Sequence, residues 1–350
     1  MLQMSEVDLV NRRVMIREDF NVPLKDGVIA DDERIQRALP TIRQALKQNA
    51  AVILLSHLGR PAEGQFDETL SLAPVAAALS TALGQEVTLQ RNWLNGVDVT
   101  PGDIVLCENV RFEQGEKENS DTLAKKMATL CDVFVMDAFG TAHRAQASTV
   151  GVAQFATIAC AGPLLEAELI ALHKALDDPK RPLVAIVGGS KVSSKIQLLD
   201  TLLDKVDVLV VGGGIANTLL AAQGYPIGTS LFEADKVDWC KELLTKARGK
   251  GVSIPLPVDV AVAKKFEADA PRVIRALAEV ADDEMIMDVG PMTMATYPDL
   301  MAAAGTILWN GPVGVFEFPG FADGTRAMGD AIAKSSAYSL AGGGDTVAAI

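Results

Sequence analysis

Four short clusters in the first half of the sequence place cationic, amide or small residues directly after apolar runs. They are Arg17-Glu18-Asp19-Phe20-Asn21, Ser56-His57-Leu58-Gly59-Arg60, Glu108-Asn109-Val110-Arg111 and Asp137-Ala138-Phe139-Gly140-Thr141-Ala142-His143-Arg144. Such groups aim hydrogen-bond donors at a compact anion, and the planar fork of arginine suits carboxylate and phosphate. A single arginine is ordinarily a solvated charge or half of a surface ion pair. Arg34, Arg60, Arg111 and Arg144 together with His57, all near strand ends or turns, instead point to one polyanionic small molecule held by several cations. His143 and His173 read as structural hydrogen-bonding histidines.

In the second half, the apolar run Leu183–Val187 opens into Gly188-Gly189-Ser190-Lys191-Val192-Ser193-Ser194-Lys195. The spacing predicts a helix starting here, with phosphate attracted to its first N–H groups and with Lys191 and Lys195 on one face. Two lysines alone would be a solvated face; the Gly-Gly turn before them favours a ligand. The G-x-x-x-x-G-K-[ST] and G-x-G-x-x-G spacings are both absent, which removes the usual warrants for a P-loop enzyme or a dinucleotide dehydrogenase. Glycine runs recur at Gly212-Gly213-Gly214 and Gly342-Gly343-Gly344, the latter followed by Asp345-Thr346, whose oxygens suit Mg²⁺. Trp309-Asn310-Gly311-Pro312-Val313-Gly314-Val315-Phe316-Glu317 reads either as a plain turn or as a loop lining a nucleotide.

These clusters need elements to position them. Short β-branched runs alternate with helix-period segments, the pattern of an α/β fold with parallel sheets covered on both faces. Strands are expected at Val14–Arg17, Ala51–Leu55, Asp103–Leu106 and Asp132–Met136, with helices at Pro40–Gln48, Leu72–Leu83 and Ser120–Leu130. Pro40 suits the first position of its helix, which places Arg34 in a turn ahead of it. A connecting helix is expected at Leu164–Leu176. The second series comprises strands Leu183–Val187, Val208–Val211, Val252–Pro255, Met285–Met287 and Thr306–Leu308. Its helices are Val192–Leu203, Ile215–Gln223, Ala234–Ala247 and Met292–Ala304. The expected domains are therefore 1–161 and 179–350, joined by 162–178. Open parallel sheets bind ligands beyond the carboxyl ends of their strands, where the polar clusters fall.

Composition bounds the reading. The 350 residues are 49% hydrophobic, enough for two cores, and the net charge of −13 argues against broad adhesion to nucleic acid or anionic membrane. An anionic ligand must then meet a local cationic cluster. The first 161 residues carry 10 Arg and 5 Lys, the remainder 5 Arg and 12 Lys, so the kind of cation differs between the halves. The charged N-terminus lacks a secretory h-region, and no apolar run approaches the ~20 residues of a membrane span. Four scattered cysteines without a C-x-x-C pair predict reduced thiols and a cytoplasmic protein.

Taken together, the strings REDFNVP, DDERI, SHLGRP, ENVRF, DAFGTAHRAQAS, VGGSKVSSK, VGGGIA, LPVD, WNGPVGVFE and GGGDT closely resemble phosphoglycerate kinases, in that family's order, from about Arg13 to Ile350. The resemblance implies two doubly wound, Rossmann-like parallel-sheet domains facing a cleft and joined by a connecting helix. It implies reversible phosphoryl transfer between MgATP and the carboxylate of 3-phosphoglycerate, a glycolytic step, by a monomer that bends at a hinge. Asp19, Phe20, Asn21, Arg34, His57, Leu58, Gly59, Arg60, Arg111 and Arg144 would then bind phosphoglycerate. Gly189, Lys191, Lys195, Gly213, Asn310, Pro312, Glu317, Gly343, Gly344, Asp345 and Thr346 would hold the nucleotide, Asp345 serving the metal. Arg34, Lys191 and Lys195 would assist transfer itself.

Family members continue for some tens of residues beyond GGGDT through a second glycine-rich segment, so the sequence reads as an incomplete member of the family. A binding protein of the same fold without turnover is the alternative, and a nicotinamide-dependent oxidoreductase is disfavoured by the missing fingerprint. Glu18 stands where the family usually carries a small or apolar residue.

Overall fold

Strands buried on both faces must be apolar at every position, and the sequence supplies such runs at Ala51–Leu55 and Ile104–Cys107. In the computed structural model, which describes residues 1–350, the strands are β1 (Arg13–Arg17), β2 (Leu24–Lys25), β3 (Val28–Ile29), β4 (Ala51–Leu55), β5 (Val87–Gln90), β6 (Ile104–Cys107), β7 (Val133–Met136) and β8 (Ile158–Ala161), followed by β9 (Leu183–Val187), β10 (Val208–Val211), β11 (Asp259–Ala263), β12 (Val273–Ala276), β13 (Met285–Val289), β14 (Thr306–Asn310) and β15 (Tyr338–Ala341). Two compact units result, Met1–Ile170 and Ala171–Ile350, and the division falls inside helix Pro163–Leu176.

The first unit is built on a six-stranded sheet in the order β5-β6-β4-β1-β7-β8, parallel throughout. Side chains alternate between its faces with period two. Val14, Ile16, Val52 and Leu54 join the core under helices Glu33–Lys47 and Ala73–Leu83, while Met15, Ile53 and Leu55 join the core under helix Asp121–Ala128. Strand order reverses around β1, between β4 and β7, and this is the crevice where an open α/β sheet presents its loops to a ligand.

The second unit carries a parallel sheet, β10-β9-β14-β15, and a separate antiparallel one, β12-β11-β13. Its helices include Gly213–Ala222, Val237–Lys250 and Asp323–Lys334.

Several elements differ from expectation for identifiable reasons. Pro40 lies inside helix Glu33–Lys47, so Arg34 sits in its first turn rather than in a preceding loop. The buried stripe Ile35, Ala38, Leu39, Ile42 and Ala45 runs unbroken past the proline, and its burial outweighs the one lost backbone hydrogen bond. The helix expected from Val192 begins only at Ile196. Glu233 takes hydrogen bonds from both the N–H and the hydroxyl of Ser193, at 2.8 and 2.6 Å, which holds residues 192–195 in turns. Lys191 and Lys195 therefore share no helical face.

The helix expected at Met292–Ala304 is two short ones, Pro291–Met294 and Tyr297–Ala303, each with a proline in its first positions. Of the expected strand Val252–Pro255, only Ser253 bridges, to Val208. Strands β5, β8, β11, β12 and β15 and helix Asp323–Lys334 go beyond the sequence reading.

Candidate active site

In the first unit, the polar clusters follow the carboxyl ends of β1, β4, β6 and β7 and converge on His57. This imidazole is buried, with Arg17 Nη2 3.3 Å from its Nδ1 and Asp19 Oδ1 at 3.9 Å. Burial, reinforced by Arg17, Arg111, Arg144 and Arg34, pushes its pKa down to about 2. His57 is therefore neutral, and because Arg17 donates to Nδ1 its own proton sits on Nε2. The same field reaches Arg111, whose pKa is lowered by burial and then by Arg144 and Arg17, with Arg60 also contributing. The sequence-predicted arginines thus share one electrostatic neighbourhood.

The loops are pinned from beneath. Phe20 N–H donates to Ser56 Oγ at 2.8 Å, Gly59 N–H to Asn21 Oδ1 at 2.9 Å, and Leu58 N–H to Asn109 Oδ1 at 3.2 Å. Phe20 and Leu58 are core residues that anchor these loops. Gly59 adopts φ +60°, and a Cβ there would stand 2.5 Å from a Leu70 methyl. Arg111 donates to the Gly59 carbonyl, while Arg34 pairs with Asp19 and remains about half exposed. His143 accepts from Arg144 Nε at 3.3 Å, and His173 pairs with Asp177 on the helix surface, as structural histidines do.

Arg17, named in the first cluster of the sequence but not among the expected binding residues, lies at the centre of this neighbourhood. It is fully buried, donates through Nε to Ser148 Oγ at 3.0 Å, and donates to the Glu18 carbonyl. Ser148 in turn serves the buried carboxylate of Glu116, its N–H 2.9 Å from Oε2. The available signal was an arginine closing the run Val14-Met15-Ile16, where burial is unavoidable.

In the second unit, one cavity of about 1120 Å³ is lined by Gly189, Lys195, Gly213, Asn310, Pro312, Glu317, Gly343, Gly344, Asp345 and Thr346, each expected from the sequence. Apolar residues including Leu231, Phe266, Met287, Val315 and Phe318 line the remainder, giving a site with an apolar part and a polar, glycine-rich part. Glycine is required where chains meet: a Cβ on Gly188 would lie 1.8 Å from the Pro312 carbonyl, and one on Gly214 2.1 Å from that of Ser190.

Lys195 is half-buried, its Nζ donating to the Gly188 carbonyl at 2.7 Å and to Asn310 Oδ1. Burial lowers its pKa, and Asp345 partly opposes that. Lys191 is exposed and does not line the cavity. Thr346 is committed to structure, accepting from Gly311 N–H at 2.7 Å and donating to the Gly342 carbonyl at 2.8 Å. Among the cavity's carboxylates, Asp288, Glu317 and Asp345, it is Asp345 whose charge reaches Lys195. A carboxylate beside a lysine and glycine-lined backbone is a donor set that suits an ion taking one carboxylate and drawing its other ligands from phosphate and water.

Two α/β units, one presenting an arginine cluster at its strand ends and the other a glycine-lined cavity with a half-buried lysine, have the features of a phosphotransferase of the two-domain kinase class. The family profile described as "Phosphoglycerate kinase" matches residues 4–350. A phosphoglycerate kinase from Coxiella burnetii (strain RSA 493 / Nine Mile phase I) is 61% identical over 347 residues, covering 99% of this chain and 89% of that protein. One from Legionella pneumophila (strain Paris) is 59% identical over 350 residues, covering 100% and 88%. Among solved structures, phosphoglycerate kinase from Coxiella burnetii superposes with TM-score 0.91 over 99% of this chain and 89% of that one, at 61% identity. The enzyme from Pyrococcus horikoshii OT3 does so with TM-score 0.85 at 31% identity, over 100% and 90%.

The chain belongs to the phosphoglycerate kinase family, and its activity is phosphoryl transfer to a carboxylate. The reading as a binding protein without turnover finds no support in these relatives, and the oxidoreductase reading is replaced.

Proposed function

We propose that the first unit binds 3-phosphoglycerate and the second binds MgATP. The observation that carries this assignment is the segregation of cations. Arg17, Arg34, Arg60, Arg111 and Arg144 gather in one unit, and Lys195 stands in a glycine-lined cavity in the other. A phosphorylated carboxylate needs several positive charges. A nucleotide needs an apolar wall for its base and close backbone approach for its phosphates.

In the reaction, a carboxylate oxygen attacks the terminal phosphorus of ATP, the bond to the β-phosphate oxygen breaks, and ADP leaves. The nucleophile is already ionised at neutral pH, so no general base is required, and catalysis rests on positioning and electrostatic stabilisation. Neutral His57 with its proton on Nε2 supplies a hydrogen-bond donor. Arg34, half exposed on the first turn of its helix and paired with Asp19, is the cation that would follow the migrating phosphoryl group. Asp345 would hold Mg²⁺, which neutralises phosphate charge when bound. Lys195 steadies phosphate oxygens from within the cavity, and Lys191 has at most an outer role.

Substrates held by different units must be brought together for transfer, so hinge bending at helix Pro163–Leu176 and expulsion of water form part of the proposal. Four free, buried cysteines agree with a reducing cytoplasmic setting, and no helix is long and apolar enough to cross a membrane. A crystal structure with both compounds bound is the test. Phosphoglycerate on the arginine cluster and nucleotide in the lysine cavity is the expected result; both lodged in one unit would overturn the assignment.

A further inference from the structure

Glu18 follows Arg17 at the carboxyl end of β1 and precedes Asp19, the partner of Arg34. Its side chain is completely buried, and neither carboxyl oxygen receives a hydrogen bond from a nitrogen or hydroxyl donor. Arg17, its neighbour in sequence, spends its nitrogens on the Glu18 carbonyl, Ser148 and His57 rather than on the Glu18 side chain.

The charged group acting most strongly on Glu18 is another buried carboxyl, Asp137, at the end of β7. Asp137 is rich in donors: Oδ1 accepts the N–H groups of Leu164 at 2.8 Å and Leu165 at 2.9 Å, and Oδ2 accepts the Thr41 hydroxyl at 2.5 Å. Two ionised carboxylates cannot share a dry contact, so one must keep a proton. The donors decide which: Asp137, with three, is the carboxylate, and Glu18, with none, is the acid.

We propose that Glu18 is a positioning residue for phosphoryl transfer, its carboxyl proton bridging to Asp137 and fastening together the strand end bearing Asp19, the helix bearing Arg34 and the N-terminus of helix Pro163–Leu176. The connections are short. Thr41 lies two turns beyond Arg34 on the same helix, and Leu164 and Leu165 open the helix that leads into the second unit. Space around the pair is closed, since a Cβ on Gly162 would stand 2.3 Å from Asp137 Oδ1.

The charged and titratable groups facing Glu18 are Asp137, Arg17 and Asp19, and Cys160 faces Asp137. Burial and Asp137 raise the Glu18 pKa well above the usual carboxylate range against the opposing pull of Arg17, in keeping with an acid that stays protonated at neutral pH.

The inference rests on Arg34 serving the anion site, so the test has one arm that ignores substrate. Infrared difference spectra of the full chain, wild type against Glu18→Gln, are expected to show at pH 7 the C=O stretch of a protonated carboxylic acid that the variant lacks. Absence of that band from the wild type overturns the proposal, whatever becomes of the site assignment.

In the kinetic arm, Glu18→Ala should lower kcat/KM for 3-phosphoglycerate roughly ten- to a hundred-fold through misplacement of Arg34, with the KM for ATP unchanged. Glu18→Gln, whose amide still donates to Asp137, should restore it. Wild-type kinetics in Glu18→Ala, or a Gln variant no better than Ala, overturns the role. Should Glu18→Ala not fold, the pH profile of Glu18→Gln decides. Wild-type activity should fall on the alkaline side as the proton leaves, and an identical alkaline limb in the variant overturns the proposal.

Discussion

Arg17 holds the imidazole of His57 from below, its Nη2 3.3 Å from Nδ1, so the two residues occupy one buried spot as cation and neutral base. The arrangement has a titration consequence. His57, with its pKa near 2, should show no imidazole titration between pH 5 and 8 when followed by NMR, and an inflection near 6.5 in the ligand-free protein would contradict the Arg17 contact. The sign for stability follows. The unfolded chain takes up a proton below 6.5 that the folded imidazole refuses, so this contribution is complete above pH 6.5 and is lost as pH falls toward 2.

Arg17 should matter to the fold as much as to the site. Replacing it by Met leaves the buried Glu116 with Ser148 and the weaker pull of Arg111, and urea unfolding should report a loss of about 3–5 kcal/mol, as when one of two interacting buried charges is removed. A loss below 1 kcal/mol would show that Ser148 alone satisfies Glu116.

Arg34→Ala should lower kcat about a hundred-fold or more while changing the KM for 3-phosphoglycerate little, because its contact strengthens as charge moves. Steady-state kinetics distinguishes this from a ground-state binding role, in which KM would carry the loss.

The two lysines should separate. Lys195→Ala should weaken ATP binding measured by calorimetry and leave 3-phosphoglycerate affinity intact, whereas Lys191→Ala, away from the cavity, should change either affinity by less than about three-fold. Equal effects of the two substitutions would restore the paired-lysine reading.

Asp345→Ala should raise the Mg²⁺ concentration needed for half-maximal activity without altering folding, since the side chain is exposed. An unchanged magnesium titration removes Asp345 from the metal site.

The sequence by itself determined the α/β class, the strands that carry the arginine clusters and the first two glycine runs, and the ten motifs whose order marks the family. These are local or linear properties: apolar runs, breakers and residue types beside them. Its errors lay where distant partners overrule local preference. The Ile35–Ala45 stripe draws Pro40 into a helix interior, and Glu233, forty residues away, holds Ser193 in a turn and so separates Lys191 from Lys195.

Only the tertiary structure decided that Arg17 is buried beside His57, that Lys191 stands outside the cavity, and that Glu18 is buried within the electrostatic reach of Asp137. The first and last depend on strand order, because β4 and β7 flank β1, and the second on Glu233 holding Ser193; in each the meeting of residues far apart in the chain decides the outcome. Residue type names a possible proton or charge; burial and neighbours determine whether it is kept.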